Sequence, residues 1–308
     1  MTPRRTLPLT RKLRYRLEHA VLVTVATILR ALPLDFASRM MGRLWRVAAP
    51  KTRRHERVLR NLAIAFPKMS LGEREAIARQ QWDNLGRTFA ESFSIDRLVE
   101  SGRVRLHVDP ELERRVRSRE HGTVVVAMHS ANWEIAAFAI PPQAEAVGLY
   151  QALKNPYSDA YITGKRRKVF PGGLLAKSHS APRKVMEHVR GRKAVAFLAD
   201  HREGKGIPVS FFGAPTTANP FPAMVARRLR VPIVAGRVIR ERGARFVVEA
   251  IELSYPVSED PSADVAALTQ TIQATFEAWI RERPGEWMWV HDRWKGYEAA
   301  ARRGGDTA

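Results

Sequence analysis

At 308 residues the chain is long enough for one large α/β domain with a substantial core, and its 45% hydrophobic content excludes a disordered polymer. It holds no cysteine, which excludes disulfide staples, cysteine-ligated zinc and a thiol nucleophile. Against 31 Asp and Glu stand 52 Lys and Arg, a net charge of +21, so the surface attracts phosphate, anionic lipid or acidic protein.

In chain order, residues 1 to 60 carry 15 basic side chains against Glu18, Asp35 and Glu56, and so supply more than half of the net charge. The apolar run from Ala20 to Leu29 is interrupted by Arg30 and stopped by Pro33. That is short of the roughly 20 apolar residues of a spanning helix. Both flanks are basic and no convincing small-residue cleavage site follows, which argues against a signal peptide. Residues 13 to 49 therefore read as helices lying on, or partly in, a cytoplasmic membrane face. A single span and a buried helical hairpin are the other readings of the same pattern. The expected division is a basic, apolar, membrane-associating segment 1–50, an α/β domain 51–297 and a flexible tail 298–308.

Ser70 and Glu73 have the spacing of a capping box and open a long helix reaching about Phe93. A charged stretch between His107 and His121 suits a short surface helix. The pattern then changes. Apolar runs at 123–128, 146–153, 194–199, 232–239 and 246–253 read as strands. Helical patterns lie between them at about 132–140, 156–169, 181–190 and 220–230. Val265, Leu268, Ile272, Phe276, Trp279 and Ile280 mark a last helix that Pro284 stops. Strands alternating with helices predict an α/β fold with a mostly parallel central sheet flanked by helices. Trp287, Trp289 and Trp294 read as packing residues.

The sharpest local feature is Met128-His129-Ser130-Ala131-Asn132-Trp133-Glu134. A strand buried on both faces ends at His129, and Asn132 suits the N-cap of a following helix. Polar side chains at the carboxyl end of a parallel strand face the crevice where α/β proteins place their sites. A turn there can bring the His129 imidazole and the Glu134 carboxylate together, an arrangement that activates a hydroxyl without a protein nucleophile. HExxH, P-loop, GxGxxG and GxSxG patterns are absent, so neither a metal nor a nucleotide cofactor is expected. No nucleic-acid-binding module is recognisable, and the basic residues mix with apolar helix positions rather than exposed aromatics, so no nucleic-acid partner is expected.

Five places in order resemble the bacterial lipid A biosynthesis acyltransferases (lauroyl and myristoyl transferases). They are Asn61-Leu62 with Phe66-Pro67; Asn84-Leu85-Gly86 with Glu91; His129 to Glu134; Asp200, Gly206, Val209 and Phe211-Phe212-Gly213; and Pro284-Gly285-Glu286-Trp287-Met288-Trp289 through His291, Arg293-Trp294-Lys295. Ser130-Ala131 departs from the more usual Phe-Gly, and Asp200-His201-Arg202-Glu203-Gly204 is more charged than in typical members.

The resemblance implies a glycerolipid acyltransferase-like fold, with His129 as general base and Glu134 as its partner. Asn155-Pro156, Asp159 and Arg166 match a further family pattern, which implies that Arg166 contacts substrate. Lys165 and Arg167 beside it are expected phosphate contacts, and Asn132 and Asp200 complete the expected substrate-binding set. The donor implied is a thioester of acyl carrier protein or coenzyme A. The acceptor implied is an anionic glycolipid such as a lipid A precursor, at the cytoplasmic face of a bacterial inner membrane. A phosphatidylinositol mannoside is the alternative acceptor, and a non-catalytic basic membrane-binding protein is the alternative class.

Overall fold

A computed structural model of the chain describes residues 8–255 and 257–296. The tail expected at 298–308 lies outside the described residues. Two helices, α1 (Leu9–Ala31) and α2 (Leu34–Ala48), lead into α3 (Arg53–Ala65), α4 (Leu71–Glu91) and α5 (Ile95–Glu100). The remainder runs β1 (Val104–Val108), α6 (Pro110–Ser118), β2 (Thr123–Ala127), β3 (Val147–Tyr150), α7 (Pro156–Arg166), β4 (Gly173–Ala176), α8 (Ala181–Arg190) and β5 (Ala194–Leu198). Then come β6 (Ile207–Phe211), β7 (Ala214–Ala218), α9 (Phe221–Leu229), β8 (Ile233–Arg240), β9 (Phe246–Glu252) and α10 (Pro261–Glu282).

Seven strands form one sheet in the order β1-β9-β8-β2-β5-β3-β4. Every neighbouring pair is parallel except β8 with β9, which form a hairpin. The mostly parallel α/β architecture read from the sequence is the architecture observed. The capping box is also present: Ser70 N–H donates to Glu73 Oε2 at 2.7 Å, and Glu73 N–H to Ser70 Oγ at 3.2 Å.

The two faces of the sheet differ, and the pleat shows why. On β2 alternate residues point to opposite sides. Val124, Val126 and Met128 enter the main core with Val195, Phe197, Ile233 and Ala235, against residues of α4, α9 and α10. Thr123, Val125 and Ala127 face the other side, where they line a cavity. His129 continues that second series, so it stands at the carboxyl end of β2 on the hollow face.

The N-terminal helices are docked on the rest. α2 crosses α4 so closely that a Cβ on Gly86 would lie 2.3 Å from the Met41 carbonyl oxygen, and one on Gly42 would meet Asp83 Oδ1 at 2.8 Å. Arg30 of α1 forks onto Asp96, with Nη1 to Oδ1 at 2.9 Å and Nη2 to Oδ2 at 3.1 Å. Asp35 accepts from Arg103 Nη1 at 2.8 Å and from the Ala244 N–H at 3.0 Å. Asn155, at the start of α7, donates to the Tyr15 carbonyl at 2.8 Å. No helix among the described residues is long and apolar enough to cross a membrane.

Three local expectations need correction. Residues Trp133–Ala139 form a 3₁₀ helix rather than an α-helix, entered through Ala131 at φ 47° and ended by Pro141-Pro142. Asn132 does not cap it; the Asn132 side chain donates to Glu91 instead. The helix expected at 156–169 ends at Arg166.

Candidate active site

The five motifs that are far apart in sequence meet in space. Asn61 of α3 donates from Nδ2 to the carbonyls of Trp289 and His291 at 2.7 and 2.6 Å. The Phe66 ring packs against Phe212 and Trp289, with centroids 5.3 and 5.8 Å apart. The turn between β6 and β7 puts Phe212 at φ 55° and Gly213 at φ 73°, as a tight hairpin turn demands. Phe211 and Phe212 thereby reach Trp287, Trp289 and Trp294. The segment from Glu286 to Met288 then runs along the loop after β2. Ala131 N–H donates to Glu286 O, and Met288 N–H to His129 O, each at 3.0 Å. From the other side, Asn84 and Thr88 of α4 donate to Ala131 O at 3.1 and 2.8 Å. The left-handed backbone of Ala131, costly for a residue with a Cβ, is therefore held at both its polar groups.

Behind this loop lies a buried charge network. Glu91 is fully buried and takes both Arg240 Nη groups, at 2.6 and 3.0 Å, with further bonds from Ser38 Oγ at 2.7 Å and Asn132 Nδ2 at 3.1 Å. Asn132 is itself wholly buried, so its place is behind the site loop.

Asp200, at the end of β5, is fully buried and accepts three hydrogen bonds. His129 Nδ1 donates to Oδ1 at 2.8 Å, the His129 backbone N–H to Oδ2 at 3.0 Å, and Trp287 Nε1 to Oδ2 at 2.8 Å. Burial alone would raise this carboxyl, but the charge His129 can carry and the bonds from its ring and backbone outweigh it and hold Asp200 well below the ordinary carboxylate range. An ionised carboxylate only accepts, so Nδ1 carries a proton, and in the neutral imidazole Nε2 is the nitrogen with the free lone pair. That is the tautomer a general base needs.

Glu134 is thus not the hydrogen-bond partner of His129 that the spacing suggests. The turn at Ala131 and the 3₁₀ helix carry its carboxylate to Arg166 at the end of α7, where Nε donates to Oε2 at 2.7 Å and Nη2 to Oε1 at 2.5 Å. Burial opposes the charge of Arg166, but the hydrogen bond and charge of Glu134 raise its pKa above the ordinary value. Both residues line the cavity with His129. Lys165 and Arg167 do not. Lys165 lies 5.6 Å over the Tyr161 ring, and burial lowers its pKa; Arg167 is exposed.

The cavity measures about 470 Å³, in the range that holds a small-molecule ligand. His129, Glu134, Arg166, Lys177 and His201 contribute its polar groups near the strand ends. Its walls are apolar, with small residues such as Ala127, Ala196, Gly148 and Gly236 beside large ones such as Leu112, Ile140, Leu149 and Phe170.

Three features escaped sequence reasoning. Trp287 holds Asp200 as well as packing. His201 lies with its ring 4.0 Å from that of His129 and 3.7 Å from that of His291, both within 6° of parallel. His129, Asp200 and His201 could each offer an atom to a metal ion, with those atoms within 4.8 Å of one another. Both Asp200 oxygens are occupied, however, and stacked imidazoles direct their lone pairs side by side rather than to a common point. The arrangement is that of an imidazole oriented by a carboxylate rather than a coordination sphere.

A parallel sheet with a histidine at a strand end over an apolar cavity fits acyl chemistry on a lipid. Residues 5–296 match the family model of the bacterial lipid A biosynthesis acyltransferases, and the chain belongs to that family; it is an acyltransferase. It is similar to the lipid A biosynthesis lauroyltransferase of Escherichia coli (strain K12), 25% identical over 253 residues and 79% of each chain. It is 24% identical over 247 residues to the lipid A biosynthesis acyltransferase of Haemophilus influenzae, covering 77% of this chain and 76% of that one. The phosphatidylinositol mannoside acyltransferase of Mycobacterium tuberculosis (strain ATCC 25618 / H37Rv) is 26% identical over 187 residues, covering 59% of this chain and 57% of that one.

Proposed function

We propose that this acyltransferase moves a fatty acyl chain from a thioester, carried by acyl carrier protein or coenzyme A, to a hydroxyl of an anionic glycolipid, with a lipid A precursor as the acceptor. The observation that carries this reading is His129, tied to Asp200 through Nδ1 and standing at the polar end of an apolar cavity. His129 Nε2 takes the proton of the acceptor hydroxyl as its oxygen attacks the thioester carbonyl. Asp200 stabilises the imidazolium that forms. The tetrahedral oxyanion collapses, the carbon–sulfur bond breaks, and His129 returns the proton to the leaving thiolate. Arg166, held by Glu134 through Nε and Nη2, keeps Nη1 for the oxyanion or an acceptor phosphate. The apolar cavity takes the acyl chain. The phosphatidylinositol mannoside relative shares the chemistry of an anionic glycolipid acceptor, so that acceptor is the second arm of the assay.

The protein works from the cytoplasmic face of the bacterial inner membrane, resting on α1 and α2, with the α/β region as its catalytic unit. Leu9, Leu13, Leu17, Val21 and Ile28 are exposed along one face of α1, and Phe36, Met40, Leu44 and Val47 along one face of α2. Exposed Arg11, Arg14, Arg16, Arg39, Arg43 and Arg46 accompany these stripes, the pattern of a helix bedded in anionic lipid.

The test is transfer from an acyl carrier protein thioester to a lipid A precursor by the purified protein and by His129→Ala. A general base contributes typically 10²–10⁴-fold, so the variant should lose at least about 100-fold. A folded His129→Ala protein that keeps near-normal turnover would refute the mechanism. Transfer to mannosylated phosphoinositide alone would replace the acceptor and leave the base in place.

A further inference from the structure

The bond from Nδ1 to Asp200 fixes one edge of the His129 ring. It does not fix the plane, because the imidazole can still rock about the hydrogen-bond axis. A base that must meet a hydroxyl within hydrogen-bond reach needs that second restraint. Trp133 meets the ring only edge-on, at 5.2 Å and 64°; the residue after Asp200 covers its flat face. His201 presents its ring flat against His129, with centroids 4.0 Å apart and planes 6° from parallel. The same chain segment at the end of β5 thus gives the carboxylate that holds the edge and the ring that covers the face.

His201 has its own backing. The His291 ring lies on its far side at 3.7 Å and 6°. The carbonyl of His291 is in turn gripped by Asn61 at 2.6 Å. Three imidazoles form one column between the carboxyl end of β2 and the C-terminal segment. Within it, His201 Nε2 and His291 Nδ1 are buried without a hydrogen-bond partner among the described residues. A buried polar atom left unpaired weakens a fold, and such atoms gather where function overrides stability. Burial pushes the His201 pKa down to about 3 against the opposing charge of Asp200, so His201 stays neutral at physiological pH. A neutral ring offers a π face to the imidazolium of His129 and adds no repelling charge.

We propose that His201 is a positioning residue for acyl transfer: its flat ring, backed by His291, holds the plane of His129 so that Nε2 stays aligned for the acceptor hydroxyl. This rests on His129 being the base. A flat ring at position 201 is what matters, not an imidazole.

Three variants test it: His201→Phe keeps a flat ring, His201→Leu keeps volume without one, and His201→Ala keeps neither. His201→Ala and His201→Leu should each lower kcat at least about tenfold, with KM within about twofold, while His201→Phe stays within about threefold of the unsubstituted enzyme. Should His201→Ala fail to fold by circular dichroism, the Phe and Leu variants decide. Nitrogen-15 NMR of His129 gives a readout free of turnover. The proton should stay on Nδ1 in every variant, because Asp200 holds that edge, while ring relaxation should report a fixed plane in the unsubstituted protein and in His201→Phe and a rocking one in His201→Leu. Equal losses in all three variants would overturn the proposal by showing that the imidazole itself is needed; no loss in any would overturn it as well. An active His129→Ala protein would defeat the base reading, while the NMR signals would still report whether His201 holds the ring.

Discussion

Of all the residues in the cavity wall, Glu134 and Arg166 are the pair whose roles depend most on each other. Each uses its partner to stay oriented: the carboxylate takes Nε–H and one Nη2–H, and Nη1 with the second Nη2–H is left to act. Residues that act as a unit lose activity together rather than in sum. Glu134→Ala and Arg166→Ala should therefore each reduce kcat/KM by about tenfold or more, and the double variant should be hardly worse than the poorer single one. Full additivity in the cycle would show two independent contributions. His129 was legible in the sequence from its place after a buried strand. Its true partner was less so, because Asp200 is 71 residues away and only the sheet order, with β5 beside β2, brings it near. Spacing along the chain favoured Glu134, which is close in sequence but is carried off by the turn at Ala131. His201 had no signal of its own: a histidine next to an aspartate says nothing about the ring it will lie on.

Helices α1 and α2 are where local sequence and tertiary placement both matter. Apolar residues on their inner faces, such as Ala26, Leu29 and Ala37, are buried against Ala90 and Phe93, while a second apolar series stays exposed. No helix among the described residues is long and apolar enough for the span reading, and the buried-hairpin reading accounts for the inner faces but not for the exposed series. Each exposed apolar side chain that enters lipid contributes roughly 1.5–3 kcal/mol, and each nearby basic residue about 1 kcal/mol. Salt screens only the second contribution. Replacing Leu9, Leu13, Leu17 and Val21 together with Ser should abolish sedimentation with anionic vesicles in high salt, while transfer to detergent-dispersed acceptor changes little. Unchanged vesicle binding would take these helices off the membrane. The strands that sequence reasoning missed have equally local causes. β1 is an edge strand with charged residues and reads as surface. β4 has only four residues, and both strands of the β6–β7 hairpin contain a proline, Pro208 and Pro215, which lowers their strand signal.

Considered as a whole, the molecule packs one side of its sheet solidly and leaves the other hollow. From Thr123 to His129 the chain advances about 20 Å at roughly 3.3 Å per residue, which gives the cavity a length suited to a long acyl chain. Ala196 lies on that side, level with Val125 of β2 and Gly148 of β3, midway along the cavity. Ala196→Leu should therefore shift the preferred thioester to shorter chains and slow the longest ones at least about tenfold, with melting temperature little changed because the added volume enters empty space. A chain-length profile identical to that of the unsubstituted enzyme would place the acyl chain elsewhere. Periodicity in the sequence announced a buried strand here, but an unbroken apolar run cannot tell a packed face from a hollow one, so the cavity became visible only with α6 and the 3₁₀ helix in place. The alternation on β2 carries a further consequence. Its even positions enter the packed core and its odd positions line the cavity, like two texts printed on alternate lines. With the acyl chain in the cavity as proposed, one text can be rewritten while most of the other is kept, so small steps at Thr123, Val125 or Ala127 would change the fatty acid transferred without a new way to fold.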